Sequence, residues 1–316
     1  MPQSNKIVCV VGPTACGKTK LGIELAKKFN GEVVSADSMQ IYRGMTIGTA
    51  APTTEEMEGI SHHMIGIADP KEPYSVARFV EEATACVDDI LSRGKLPIVV
   101  GGTGLYLDAL VAGRSFAQGE STGKTRQVLK DRLAAEGIEA LHAELARIDP
   151  AAAARLHVND EKRILRALEI YYETGKTITE HDAESQKLPP RYDAVYIGLA
   201  FEDRADMRDL IDRRVDVMMA QGLVEEVKAL VNSGVSRETT ALQAIGYKEL
   251  LSALDGERSM EEAVEEVKLR SRQYAKRQLT WLRRNEAIHW IFWKKERDFP
   301  RAIQISTEIL TSEGLG

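Results

Sequence analysis

The sequence predicts an α/β fold, a parallel sheet flanked by helices, with an all-helical domain inserted into it. Two patterns carry that expectation. Short apolar, β-branched runs recur with helix-forming segments between them, as in a parallel sheet covered on both faces. The stretch from about 113 to 190 breaks the pattern and contains no strand-like run. The expected division is therefore 1–112 for the first part of the core, 113–191 for the insertion, and 192–316 for the returning core with a basic helix and a tail.

Residues 7–11 (IVCVV) read as the first buried strand. Gly12, Pro13, Thr14, Ala15, Cys16, Gly17, Lys18 and Thr19 then fit G-x-x-x-x-G-K-S/T, and Leu21, Leu25 and Ala26 give the next segment a helical apolar face. This is the context of a P-loop NTPase-like core. Gly12 and Gly17 let successive N–H groups turn onto an anion. The helix N-terminus and Lys18 add positive charge, and Thr19 is placed to ligate Mg²⁺ between phosphate oxygens. Such a loop recognises a di- or triphosphate without reading what is attached to it.

Further strands are expected in GEVVSADS (31–38), LPIVVGGTG (96–104), DAVYIGLAF (193–201) and IHWIFW (288–293). Ligands of parallel sheets sit beyond the carboxyl ends of the strands, which places Asp37 and Thr103 toward the phosphate loop. In the insertion, Asp149-Pro150 opens one helix, Asn159-Asp160 caps another and Gly175 stops it.

The bulk numbers limit the function classes. The chain has 316 residues, 43% apolar and 28% charged, with a net charge of −6. No apolar run reaches the ~18 residues of a membrane span. MPQSNK leads directly into the first strand, so no signal peptide is expected, and Cys9, Cys16 and Cys86 show no C-x-x-C spacing. These features predict reduced thiols in a cytoplasmic protein, and no leftover apolar stripe argues against a monomer.

Asp37 reads as a Mg²⁺- or water-positioning acid, as a general base beside the phosphate, or as a turn aspartate. Gly101, Gly102 and Gly104 surround Thr103 in a turn open to close ligand approach, though a plain structural loop has the same look. His62 and His63 lack further ligands at metal spacing and read as packing and hydrogen-bonding groups. Arg213 and Arg214 either point back to the phosphate site or form surface salt bridges.

The segment Lys268–Arg284 holds seven Lys or Arg and no acid in a net-negative chain. On a helix, Arg270, Arg277 and Arg284 form one stripe, and Tyr274, Gln278 and Trp281 an adjacent one with stacking capacity. Basic groups pair with phosphates and aromatics stack on bases, so this face suits a nucleic acid; a solvated face is the plainer reading. A second basic cluster, Lys162, Arg163 and Arg166, shares one face in the insertion.

From Lys6 to Trp293 the chain resembles the tRNA dimethylallyltransferases, also called tRNA isopentenyltransferases. The resemblance rests on GPTACGKT, SADSMQIYRGMTIGTAAPT, HHMIGIADPKEPYSVARF, VVGGTGLYLDAL, NDEKRILRALEI, ALQAIGYKEL and YAKRQLTWLRR, in family order. One departure is Cys16, where serine is expected; the backbone matters most there, but a thiol is open to oxidation.

The resemblance implies dimethylallyl diphosphate in the phosphate loop, the exocyclic N6 of the adenosine just 3′ of the anticodon as acceptor, and diphosphate as leaving group. It implies Asp37 as the base, Thr103 as a hydrogen-bonding partner at the reacting centre, and Lys18, Thr19 with Mg²⁺, the loop amides and Arg214 as neutralisers of the diphosphate. A flipped adenosine would be held by Ser38, Met39 and Gln40. The anticodon stem-loop would touch Arg126, Glu161, Lys162, Arg163, Ile164, Leu165, Gln243, Ala244, Ile245, Gly246, Tyr247 and Lys248, besides Arg270, Tyr274, Arg277 and Trp281. The inserted helices become the second jaw of an RNA clamp. Alternatives are an adenylate prenyltransferase, a P-loop small-molecule kinase and a non-catalytic RNA-binding switch. The kinase has no use for the basic patch, and the adenylate enzyme none for the insertion.

Overall fold

The computed structural model describes residues 5–113, 123–186 and 189–315. The expectation of no leader falls on residues 1–4, outside the described residues. The chain divides into two compact units, Met1–Gly113 with Arg191–Gly316, and Arg114–Pro190.

In the first unit, β1 (Lys6–Val11), β2 (Gly31–Ser35), β3 (His62–His63), β4 (Leu96–Gly101), β5 (Asp193–Phe201) and β6 (Ile288–Trp293) form one sheet. Its order is β3-β2-β4-β1-β5-β6, and every pairing is parallel. β1 shows why such strands read as continuous apolar runs. Ile7, Cys9 and Val11 face one buried cluster, whereas Val8 and Val10 face the other. The chain fills one side of β1 first and, after β4, resumes as β5 on the other side. The switch point lies at the carboxyl end of β1, where the phosphate loop begins.

Helices α1 (Lys18–Lys28), α2 (Val76–Ser92) and α3 (Gly104–Ala112) follow β1, β3 and β4. The second unit contains α4 (Lys124–Glu136), α5 (Ile138–Ile148), α6 (Pro150–Arg155), α7 (Glu161–Thr174) and α8 (Ile178–Gln186). After β5 come α9 (Arg204–Ala220), α10 (Leu223–Asn232), α11 (Tyr247–Leu254) and α12 (Met260–Leu282), then β6 and α13 (Phe299–Ser312). α2 buries Phe79, Ala83, Val87 and Ile90 along one face, and the Ser75 hydroxyl caps it by accepting from Arg78 N. α12 opens with a capping box between Ser259 and Glu262.

The second unit buries Leu129, Leu141, Leu145, Ile164, Leu165 and Leu168 as its own core. Asp149 caps α6 by accepting from Ala152 N at 2.9 Å, and Gly175 ends α7 with φ 73°. Asp160 stands at the start of α7 but caps no N–H there; its carboxylate lies 3.2 Å from Arg163 instead. β3 has no counterpart in the sequence reading, because two histidines carry no strand periodicity. His63 Nε2 lies 2.8 Å from Glu32 Oε2 and His62 Nδ1 2.8 Å from the Ile60 carbonyl, so both serve as hydrogen-bonding groups. Among the described residues no helix is long and apolar enough to cross a membrane.

Candidate active site

The phosphate loop links β1 to α1 through backbone that only particular residues tolerate. Gly12 adopts φ 151°, and a Cβ there would lie 2.4 Å from the Leu199 carbonyl oxygen of β5. Gly17, at the N-terminus of α1, adopts φ 93°. The loop is held from behind by the distant C-terminal part of the chain. Gln278 of α12 accepts from Thr14 N at 2.8 Å and donates to the Gly102 carbonyl at 3.1 Å. Trp293 of β6 donates its indole N–H to the Cys16 carbonyl at 2.8 Å. Lys18 Nζ donates to the Pro13 carbonyl at 2.7 Å and lines the adjoining cavity.

Three expectations are corrected here. The Thr14 N–H is spent on Gln278 rather than open to an anion. Gln278 itself is buried under the loop and offers no stacking surface. The Cys16 side chain is fully buried and burial pushes its thiol pKa up, against the opposing charges of Lys18, Arg214 and Arg297. It is therefore inert packing rather than an oxidisable thiol.

Asp37 leaves the carboxyl end of β2 and forms an Asx-type turn: its Oδ1 accepts from Met39 N at 2.9 Å and Gln40 N at 3.3 Å. Its Oδ2 accepts no hydrogen bond from a described residue. The turn reading and a chemical role are thus compatible, since one oxygen orients the group and the other remains available. Thr103 Oγ1 accepts from Ser38 N at 3.2 Å, which joins the carboxyl ends of β2 and β4. The pKa of the Tyr274 hydroxyl is pushed up to about 12 by burial, helped by the Asp37 charge, so it stays neutral.

Asp37 and Tyr274 border two cavities, of about 930 Å³ and about 300 Å³, whereas Thr103 lines neither. Thr14, Asp37, Arg214 and Tyr274 line both. The larger adds Lys18, Thr19 and Gln40 with Arg297 and Phe299 from the tail. The smaller adds Ser38, Met39, Arg277 and residues Gln243 to Tyr247. Arg214 is half-buried on α9, and desolvation lowers its pKa against the attraction of Asp37. Within its own unit the fold thus brings together the phosphate loop, Asp37, Thr103, Arg214, Tyr274 and most of the QAIGYK segment.

The remaining expected residues stand apart. Lys248 is exposed and lines neither cavity. Arg270 is paired with Glu266 at 2.6 Å. Trp281 donates to Asp108 Oδ2 at 2.8 Å, and a Cβ on Gly104 would meet its ring at 2.1 Å. Arg284 lies over that ring at 5.4 Å and beyond the end of α12, so the helical stripe stops at Arg277, while Trp281 keeps part of its surface exposed. In the second unit, Arg126 Nη2 lies 2.9 Å from Glu169, and Ile164 and Leu165 are core residues whose side chains pack inside. Glu161, Lys162 and Arg163 are exposed.

Sequence reasoning missed the tail. Residues 294–316 carry no recognisable motif, yet Arg297 and Phe299 reach the phosphate loop, and a Cβ on Gly17 would lie 2.8 Å from the Phe299 ring. It also missed Glu226 of α10. This carboxylate accepts from Thr46 N, Ile47 N, Gly48 N, the Thr46 hydroxyl and the Tyr247 hydroxyl, at 2.6–3.0 Å, and so fixes the loop that walls the cavities. Neither residue has a local signal, because both act through long-range folding.

A family model described as IPP transferase matches residues 40–285, and one described as isopentenyl transferase matches residues 5–66. A tRNA dimethylallyltransferase of Acetivibrio thermocellus is 50% identical over 287 residues, covering 91% of each chain. The crystal structure of a full-length tRNA isopentenylpyrophosphate transferase from Bacillus halodurans superposes with a TM-score of 0.73 at 44% identity, covering 98% of this chain and 96% of that one. A eukaryotic dimethylallyltransferase acting on tRNA gives 0.84 at 34% identity, covering 98% and 80%. The chain belongs to the IPP transferase family, that of the tRNA dimethylallyltransferases, and is a transferase enzyme.

Proposed function

We propose that this enzyme transfers a dimethylallyl group from dimethylallyl diphosphate to the exocyclic N6 of the adenosine immediately 3′ of the anticodon in tRNA, releasing diphosphate. The observation that carries the reading is the free oxygen of Asp37, which borders the same cavities as the phosphate loop and the Gln243–Tyr247 segment. An adenine amine is a weak nucleophile because its lone pair is delocalised into the ring. As the N6–carbon bond forms at the allylic carbon, Asp37 takes the N6 proton. The carbon–oxygen bond breaks, and its electron pair leaves with the diphosphate. Lys18 and Arg214 stabilise the charge that develops there. Thr103 and the neutral Tyr274 hydroxyl orient the reacting groups.

Mg²⁺ fits the donor set. The Thr19 hydroxyl lines the larger cavity and makes no hydrogen bond to a described residue, and a hard cation needs few protein oxygens when phosphates supply the rest. Bound there, the ion would neutralise the diphosphate as a Lewis acid. Exposed Lys162 and Arg163 in the second unit suit the phosphates of a tRNA anticodon stem-loop, as does exposed Arg277 in the first, the tRNA being met in the cytoplasm by a monomeric enzyme.

Incubation with Mg²⁺, dimethylallyl diphosphate and unmodified tRNA, then nucleoside mass analysis, tests this. One prenyl group on adenosine from tRNA and none on free AMP is the expected result. Product on AMP alone would move the acceptor to the nucleotide pool, and ATP turnover without prenylation would contradict the reading.

A further inference from the structure

The larger cavity gathers Lys18, Arg214 and Arg297, none of which has a carboxylate within 4 Å among the described residues, although Asp37 and Glu56 also line it. Arg214 reaches it from α9, and its guanidinium makes no hydrogen bond or ion pair to a described residue. Arg297 reaches it from the segment between β6 and α13. It too has no carboxylate within 4 Å among the described residues, and its guanidinium lies 5.8 Å from the centre of the Phe299 ring. Phe299 in turn packs against Gly17 and against the Trp293 ring, 5.4 Å away. Since Trp293 also holds the Cys16 carbonyl, Arg297 is mounted on the element that braces the phosphate loop. Its charge is felt there, because it opposes protonation of Arg214 and favours ionisation of the Cys16 thiol.

Two guanidinium groups and the Lys18 ammonium around one cavity repel each other, a repulsion that Asp37 and Glu56 offset in part and that a bound anion would relieve further. What sets these two arginines apart is that both line the cavity of the phosphate loop. We propose that Arg297 is a diphosphate-binding residue, the third cation of the phosphate site after Lys18 and Arg214, delivered by the C-terminal tail. The Phe299 ring restrains the guanidinium by cation–π contact, so less conformational freedom is lost when the anion binds. The fork geometry suits two phosphate oxygens at once. This deepens the proposed function and rests on it for the identity of the ligand.

Titration of the full chain with inorganic diphosphate and Mg²⁺, without tRNA, tests the assignment. Arg297→Gln should weaken diphosphate binding about tenfold, the size of one lost charge-assisted contact, and Arg297→Lys should recover part of it. tRNA affinity and melting temperature should match the wild type, since the side chain is exposed and bridges no core elements. Equal diphosphate affinity in wild type and Arg297→Gln would overturn the assignment, as would a loss accompanied by an equal loss of melting temperature in both variants. Wild-type protein that binds diphosphate yet makes no prenylated tRNA would overturn the proposed function alone, because the ratio between wild type and variant still decides the role of Arg297.

Discussion

Gln278 illustrates how a side chain can sit on a legible face and still be misread. Its spacing from Tyr274 and Trp281 places all three on one side of α12. Only the fold reveals that this side turns to the phosphate loop, where the amide satisfies Thr14 N and the Gly102 carbonyl together. Gln278→Ala leaves two buried polar groups unpaired, and each such loss costs about 1–3 kcal/mol. Chemical denaturation should therefore show a loss of roughly 2 kcal/mol or more, and the KM for dimethylallyl diphosphate should rise as the loop loosens. Asp37 and Thr103 were legible because each ends a strand of a parallel sheet, where the ligand crevice must be. The hydrogen bond from Trp281 to Asp108 was not, because the two lie 173 residues apart.

At the scale of elements, the sequence marked the long apolar strands well, β5 and β6 with the bounds seen in the fold. It gave no hint of β3, whose two residues owe their extended pairing to β2. The acid-free run of α12 looked uniformly basic for a related reason. α9 lies alongside it and supplies Asp212 to Arg272 at 2.5 Å and Asp216 to Lys268 at 2.8 Å. The loop at 45–50 is a third case, since Glu226 of α10 gathers its N–H groups. Glu226→Gln replaces one acceptor oxygen by a donor facing those N–H groups. It should destabilise the protein by about 1–3 kcal/mol in urea denaturation, and the KM for tRNA should rise because that loop walls the site. Wild-type stability with an unchanged KM would mean that the loop holds its shape without the carboxylate.

The whole molecule carries −6 net charge and must still attract an anionic substrate. Pairing narrows the basic groups of α12 and its end to Lys276, Arg277, Arg283 and Arg284, which have no carboxylate within 4 Å among the described residues. Arg277→Gln should therefore reduce the slope of log affinity for tRNA against log salt by nearly one unit, as one lost phosphate contact does. Arg270→Gln should reduce it less, because Glu266 already holds that charge. At the opposite end of the sheet, Arg93, with Lys95 and His63, holds the buried Glu32 carboxyl well below its ordinary 4.5 despite the opposing effect of burial. A lowered folded-state pKa stabilises above the unfolded value and is lost as pH falls below it. The stability gap between wild type and Glu32→Gln should thus be full at pH 7 and shrink below about 4.5.

On the proposed mechanism, one cavity system brings the transferred carbon, the departing diphosphate and a base on Asp37 together. Single-turnover transfer from dimethylallyl diphosphate to bound, unmodified tRNA by wild type and Asp37→Ala, with tRNA affinity measured in parallel, tests it most directly. The rate should be lower by ~10²–10⁴ in the variant, the usual effect of removing a positioned base, with tRNA affinity nearly unchanged. A transfer rate within a few-fold of wild type, or a fall in rate matched by an equal fall in affinity, would contradict it.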